Sequence, residues 1–292
     1  MGRIAFHFGL HCTDEDSLIR CLLKNRDALA RDAIAVPGPG RYRPLIRKAL
    51  ESLQGAPAPP EMEQEMLASI VDQDNATRMV LSSESFLCPP QGALGRGMLY
   101  PMAEEKTPWF DRLFPGSQSA YFFAIRNLAS MLPMLLARPN APSYSALVTE
   151  TDPLRLSWAD LVRRVRDANP EIPLTVWCDE DTPLIWPEVL RRVSDHSRET
   201  RLEHLDDRLS TLMSADGLRQ LSAHLEAHPP ADEAARREAV SAFLERFARA
   251  EALQVEVDVP GWDESHIAAL TERYEADIAQ IAALDGVTFI RP

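Results

Sequence analysis

Four stretches of this chain are apolar almost without interruption, and each runs on into a helical pattern. They are Arg3-Ile4-Ala5-Phe6-His7-Phe8-Gly9, Arg78-Met79-Val80-Leu81, Ala120-Tyr121-Phe122-Phe123-Ala124-Ile125 and Leu174-Thr175-Val176-Trp177-Cys178. A strand with one wetted face alternates apolar and polar residues, whereas a continuously apolar strand needs cover on both sides. Between these strands Leu18, Ile19, Leu22, Leu23 and Leu29 recur at helical spacing, and helices are expected over 44–53, 62–72, 103–113, 158–168 and 186–193. Strands alternating with helices in this way predict a three-layer α/β domain built on a parallel sheet. Pro133 should kink or break the apolar segment 128–136. From about residue 205 the pattern turns helical, over 209–213, 217–225, 233–247 and 264–284, with breaks at Pro229-Pro230 and Pro260-Gly261; residues 287–290 are the one late strand candidate. The expected organisation is an α/β domain over 1–197 with a helical C-terminal extension over 198–292 packed on it.

Charge narrows the partners. Over 292 residues the formal net charge is −13, but residues 1–50 hold 9 Lys/Arg against 5 Asp/Glu and the remainder 22 against 39. A net acid of this size argues against nucleic acid and anionic membranes as partners, since both demand basic surface. Residues 198–292, with 10 basic and 19 acidic side chains, read as a solvated packing layer or a partner surface. The run Arg41, Arg43, Arg47, Lys48 is the one positive cluster visible in the sequence, and a solvated helix face is its simplest reading. There is no signal-peptide pattern and no run of 18 apolar residues. Cys12, Cys21, Cys88 and Cys178 are scattered with no CxxC pair, which fits reduced thiols and a cytoplasmic location.

The chemistry should lie where the first strand meets the first helix. A strand, a short loop and a helix make the usual cradle for a phosphate-like anion, held by backbone N–H groups and the positive helix end. The Walker pattern GxxxxGK(S/T) is absent. The segment His7-Phe8-Gly9-Leu10-His11-Cys12-Thr13-Asp14-Glu15-Asp16-Ser17-Leu18 instead resembles the loop H-x-G-x-x-K-T-G-T-T-S-L of the bacterial sulfotransferase family, matching at His7, Gly9, Thr13, Ser17 and Leu18. Asn25-Arg26-Asp27-Ala28-Leu29, Val36-Pro37-Gly38, Val80-Leu81-Ser82-Ser83-Glu84, Phe123-Ala124-Ile125-Arg126-Asn127 and Thr175-Val176-Trp177-Cys178-Asp179-Glu180-Asp181 are similar to later motifs of that family, in the same order. The resemblance spans roughly 3–195. It implies a P-loop-type fold and a donor, 3′-phosphoadenosine 5′-phosphosulfate, held by His11, Thr13 and Ser17 at the loop and by Arg126 and Ser130 at the 3′-phosphate. It also implies Glu84 as the base that activates an acceptor.

The departures fall on the donor site. The family's loop Lys is Cys12 here, its turn Gly is Asp14, and two Thr are Glu15 and Asp16; the family's Ser eight residues after the arginine is Met134, with Ser130 four residues on. Three carboxylates beside a polyanionic donor repel it, and one lost charge-assisted contact costs about 2–4 kcal/mol of transition-state stabilisation. The resemblance therefore points to a divergent sulfotransferase-like protein that does not use the nucleotide donor by the family's mechanism and binds a small molecule or a protein. Two alternatives stand beside it: an active sulfotransferase, and a non-enzymatic interaction protein working through the acidic helices. His7, His11, Asp14, Glu15 and Asp16 also form a set of candidate ligands for a hard divalent cation, against which stands a plain role in helix capping. Cys12, at a helix start among carboxylates, reads as an inert small residue rather than an activated thiol.

Overall fold

The computed structural model describes residues 2–138, 144, 151–253 and 259–292. The four apolar stretches are strands β1 (Arg3–Phe8), β3 (Arg78–Ser83), β6 (Gln118–Ile125) and β7 (Leu174–Cys178) of one parallel sheet. Strand β2 (Ile34–Ala35) closes one edge and β8 (Val287–Ile290) the other, in the order β2-β3-β1-β6-β7-β8. In β1, Ile4, Phe6 and Phe8 enter one core and Ala5 the other, which is why the strand carries no polar face.

Helices α1 (Ser17–Lys24), α2 (Arg26–Arg31) and α8 (Thr182–Ser194) cover one face, where Leu18, Leu22, Ile185 and Val189 pack on Ala5, Val80, Phe122 and Trp177. The opposite face carries α3 (Pro39–Leu53), α4 (Pro60–Ile70), α5 (Ala103–Arg112), α6 (Leu128–Leu136), α7 (Trp158–Ala168) and α12 (Glu264–Ala282). The result is the expected three-layer α/β arrangement. Helix α6 runs through Pro133 instead of breaking there. A proline removes one amide donor, here the one that would reach the Ala129 carbonyl, and the packing of Leu128, Met131, Leu132 and Leu135 into the main core holds the helix together past it.

A short antiparallel pair, β4 (Leu94–Gly95) and β5 (Met98–Leu99), turns through Arg96 and Gly97, both left-handed at φ 51° and 72°. It lies in a stretch whose composition reads only as loop, and it delivers Tyr100 to the site.

The division at residue 197 needs amendment. Helices α9 (Ala215–Ala227) and α10 (Glu233–Phe247) form a small core of their own with Leu209, Met213, Leu221 and Val240. Helix α11 (Ala250–Leu253) follows them. In contrast α12 contributes Leu270 and Ile281 to the main core, and β8 pairs with β7 along the sheet. The extension is therefore not purely helical. Parallel strands need a long crossover, and α9 to α12 all lie in the one that joins β7 to β8. Among the described residues no helix is long and apolar enough to cross a membrane.

Candidate functional site

The chain leaves β1 toward β2 and β3 on one side, then crosses to β6, β7 and β8 on the other. Open parallel sheets bind ligands outside the carboxyl ends of the strands where the strand order reverses in this way. At that edge lie the loop 9–17, Glu84 after β3, Arg126 after β6 and Asp179 after β7.

The loop is held from within. Thr13 donates its hydroxyl to the Leu10 carbonyl at 2.6 Å, and the Leu10 amide donates to Phe8. Cys12, Glu15 and Asp16 adopt left-handed backbone angles, at φ 64°, 49° and 65°. Each costs a residue with a Cβ about 1 kcal/mol or more, so the surrounding contacts must impose them. One of those contacts is a helix cap: the Leu18 amide at the start of α1 donates to the Asp14 carboxylate at 2.9 Å. Asp16 occupies the N-cap position but makes no capping bond with its side chain; its carboxylate takes two bonds from Arg43, at 2.5 and 3.1 Å. Of the acids of this loop, Asp14 is thus the one whose side chain caps α1.

The two arginines of the edge are also engaged. Arg126 donates through Nη1 to the Cys12 carbonyl and to Asp179 Oδ2, both at 3.0 Å, and through Nε to the Ser130 hydroxyl at 3.0 Å. Arg208, from the segment before α9, donates to the other Asp179 oxygen at 3.0 Å and to the Ser17 hydroxyl at 3.3 Å. Asp179 is 8% exposed and bridges two guanidiniums that are 18% and 19% exposed. Glu84 receives two bonds from Arg138, at 2.8 and 2.9 Å, and Arg138 also lies 3.6 Å from Glu15. Each acid that the sequence places at this edge is thus capped or paired.

The candidate cation ligands do not converge. Among the described residues no group of three or more His, Cys, Asp or Glu side chains is placed to hold a metal ion. His7 is fully buried on the α1 and α8 side, where it stacks on Trp177 at 5.7 Å and meets the Ser82 hydroxyl at 2.8 Å. His11 is fully buried on the other side, stacked on Tyr100 at 5.8 Å with Nδ1 at 3.0 Å from the tyrosine oxygen. Asp14, Glu15 and Asp16 face three different partners: an amide, Arg138 and Arg43. Cys12 is 1% exposed and burial pushes its thiol up, which disfavours the thiolate.

Burial, assisted by Arg138, lowers His11 to about 4, and burial lowers His7 as well. Both rings are therefore neutral in the fold but charge near 6.5 once unfolded. The unfolded chain binds more protons in between, so stability is complete above pH 6.5 and falls as pH drops toward 4, by about 3 kcal/mol. Urea midpoints across this range are expected to decline, and to decline less steeply in His11→Gln; an equal slope in the variant would remove His11 from the account.

Beside Glu84 a cleft of about 850 Å³ opens between α3, the segment 83–89 and α5. Its floor is apolar, with Ile46, Leu50, Phe86 and Trp109, and Arg47 and Lys106 stand on its wall. Of the basic run, Arg41 pairs with Asp72 and Arg43 with Asp16, so this segment is only partly a free solvated face.

Sequence reasoning located Glu84 and Arg126 at the ends of core strands and Asp14 in the loop before α1. It missed Arg138, Arg208, Tyr100 and the bridging role of Asp179; for Asp179 the signal was available, as the first acid after a buried strand that neighbours Arg126. No family model, curated protein or solved structure matches the chain.

Proposed function

We propose that this chain is a divergent sulfotransferase-like protein in which resident carboxylates stand where a nucleotide sulfonate donor would place its anionic groups. It serves as a binding protein, with the cleft beside Glu84 as its ligand site, and does not transfer sulfonate by the family's mechanism. The observation that carries this reading is the double substitution of anions by the chain itself: Asp14 caps the α1 amide and Asp179 neutralises Arg126. A donor phosphate would have to displace both, against the repulsion of Glu15 and Asp16. The apolar floor of the 850 Å³ cleft, ringed by charged residues of both signs such as Arg47, Glu51, Glu105 and Lys106, suits a small amphipathic molecule.

A second reading, an active sulfotransferase, is favoured by one contact. Arg126 and Ser130 are hydrogen-bonded to each other at 3.0 Å, so the pair expected at a 3′-phosphate is assembled even though Asp179 occupies it. Titration with adenosine 3′,5′-bisphosphate, followed by calorimetry and thermal shift, separates the two. The binding-protein reading expects no heat or shift from this nucleotide that depends on Arg126: whatever signal appears is the same in Arg126→Ala. Micromolar binding that weakens in Arg126→Ala would overturn it in favour of the transferase.

A further inference from the structure

Residues 198–292 are acidic in sum, yet the fold collects arginines at one place there. A cleft of about 780 Å³ lies between the end of α8, the segment 196–205 and the turn joining α9 to α10. Arg191, Arg198, Arg201 and Arg236 line it, against two carboxylates, Asp232 and Glu233. His196 also lines it, but burial keeps that ring's pKa low and its Nδ1 meets the Ser194 hydroxyl at 2.7 Å.

Three of these four arginines differ from those at the strand edge in having no carboxylate partner. Arg43, Arg126, Arg138 and Arg208 each have a carboxylate partner. Among the described residues the guanidiniums of Arg191, Arg198 and Arg201 have none. Arg236 gives Nη2 to Asp206 at 3.0 Å, but its Nη1 is buried with no hydrogen-bond partner. Asp232 caps α10, accepting the Ala235 amide at 2.9 Å, and Glu233 Oε2 is buried with no hydrogen-bond partner, so two carboxylates stand against the four arginines and the cleft keeps a positive balance. Buried donors are normally satisfied, so Arg236, which lines the cleft, keeps one donor unmet by the chain. Four like charges gathered in an otherwise acidic protein make this cleft a local site of positive potential.

We infer that this cleft binds a small organic phosphate monoester. Guanidinium forks match the oxygens of a phosphate in paired hydrogen bonds, and a monoester carries about two negative charges at neutral pH. Leu202, Leu205, Pro187 and Pro230 supply apolar wall for the organic body. The cleft is separate from the strand-edge site: the residue after α8, Asp195, pairs with Arg3 at the start of β1, at 2.5 Å, whereas the strand-edge site lies at the far ends of the strands. The inference therefore stands or falls independently of the sulfotransferase-like reading.

Calorimetric titration of the full chain with phenyl phosphate at low ionic strength tests it. The expected result is saturable binding that weakens at least tenfold in Arg198→Gln/Arg201→Gln, two exposed positions whose replacement leaves the fold intact by circular dichroism. Phenyl sulfate, with one charge, and inorganic phosphate, with no apolar body, should each bind more weakly than phenyl phosphate, and Arg126→Ala should bind as the wild type does. The inference is overturned by absence of binding, by binding unchanged in the double variant, or by binding that disappears in Arg126→Ala. Equal affinity for inorganic and phenyl phosphate would overturn the organic part of the assignment.

Discussion

Asp179→Ala is expected to cost about 3 kcal/mol of folding stability, and sulfate is expected to restore much of that loss in the variant alone. Asp179 is buried between Arg126 and Arg208, with one oxygen at 3.0 Å from each. Burial pushes its carboxyl upward and the two guanidiniums pull it back, so the acid and both bases are tolerated inside the protein only together. Removing the acid leaves two like charges facing each other with little access to water. Taking one partner from a buried ion pair costs about 3–5 kcal/mol, and the part exposure of the arginines puts this case at the low end. An anion that enters the vacated space takes up both guanidiniums and stabilises the folded state by about 2.7 kcal/mol at one hundred times its dissociation constant. Urea midpoints in sulfate and in chloride of matched ionic strength read this out. Sulfate also stabilises proteins generally, so the quantity that decides is the gain in the variant beyond the gain in the wild type. A variant as stable as the wild type, or one that gains no more than the wild type from sulfate, would remove Asp179 as a stand-in anion.

The layered α/β arrangement was legible because its strands are buried on both sides, and burial of that kind leaves a composition signal. Ala120 to Ile125 can hardly be read otherwise, and the helix over Trp158–Ala168 has the expected bounds because Leu161, Val162 and Val165 form a clean inward stripe. Strand β2, with two residues, is too short to show any period, and it exists because β3 offers it a neighbour. At the site, the residues at strand ends were visible but their partners were not. Arg138 meets Glu84 from 54 residues away and Arg208 meets Asp179 from 29, and no local pattern encodes such pairings. The metal hypothesis failed for a related reason. His7 and His11 are close in sequence, but His7 lies among Trp177 and the α1 side of the sheet while His11 lies with Tyr100 on the opposite side.

The same blindness to distant partners applies to α12, which reads as one more acidic helix, and it motivates the second large effect. Asp277→Ala is expected to cost about 3–5 kcal/mol, and Asp277→Asn roughly half as much. Asp277 is 1% exposed and accepts the Ser157 hydroxyl at 2.8 Å and the Trp158 amide at 2.7 Å. It therefore caps the first turn of α7 from another helix, while Arg273 stands 3.7 Å away as its counter-charge. Hydrogen bonds to an ionised group are worth about 1.5–3 kcal/mol each, and alanine would also leave the Trp158 amide with no acceptor. Asparagine keeps one oxygen for that amide, which is why the loss should divide. Asp277 shares a helix face with Tyr274 and Thr271, at a spacing of three residues. Tyr274 donates to Glu180 at 2.8 Å and Asn127 donates to Thr271 at 3.0 Å, beside Asp179 and Arg126 respectively. Loosening α12 should accordingly weaken the floor of the strand-edge site as well as the fold. The expected signature is a lower urea midpoint together with faster amide exchange at Arg126 and Asn127. A loss below about 1 kcal/mol, the value of an ordinary surface contact, would show that α12 is the solvated layer its composition suggests.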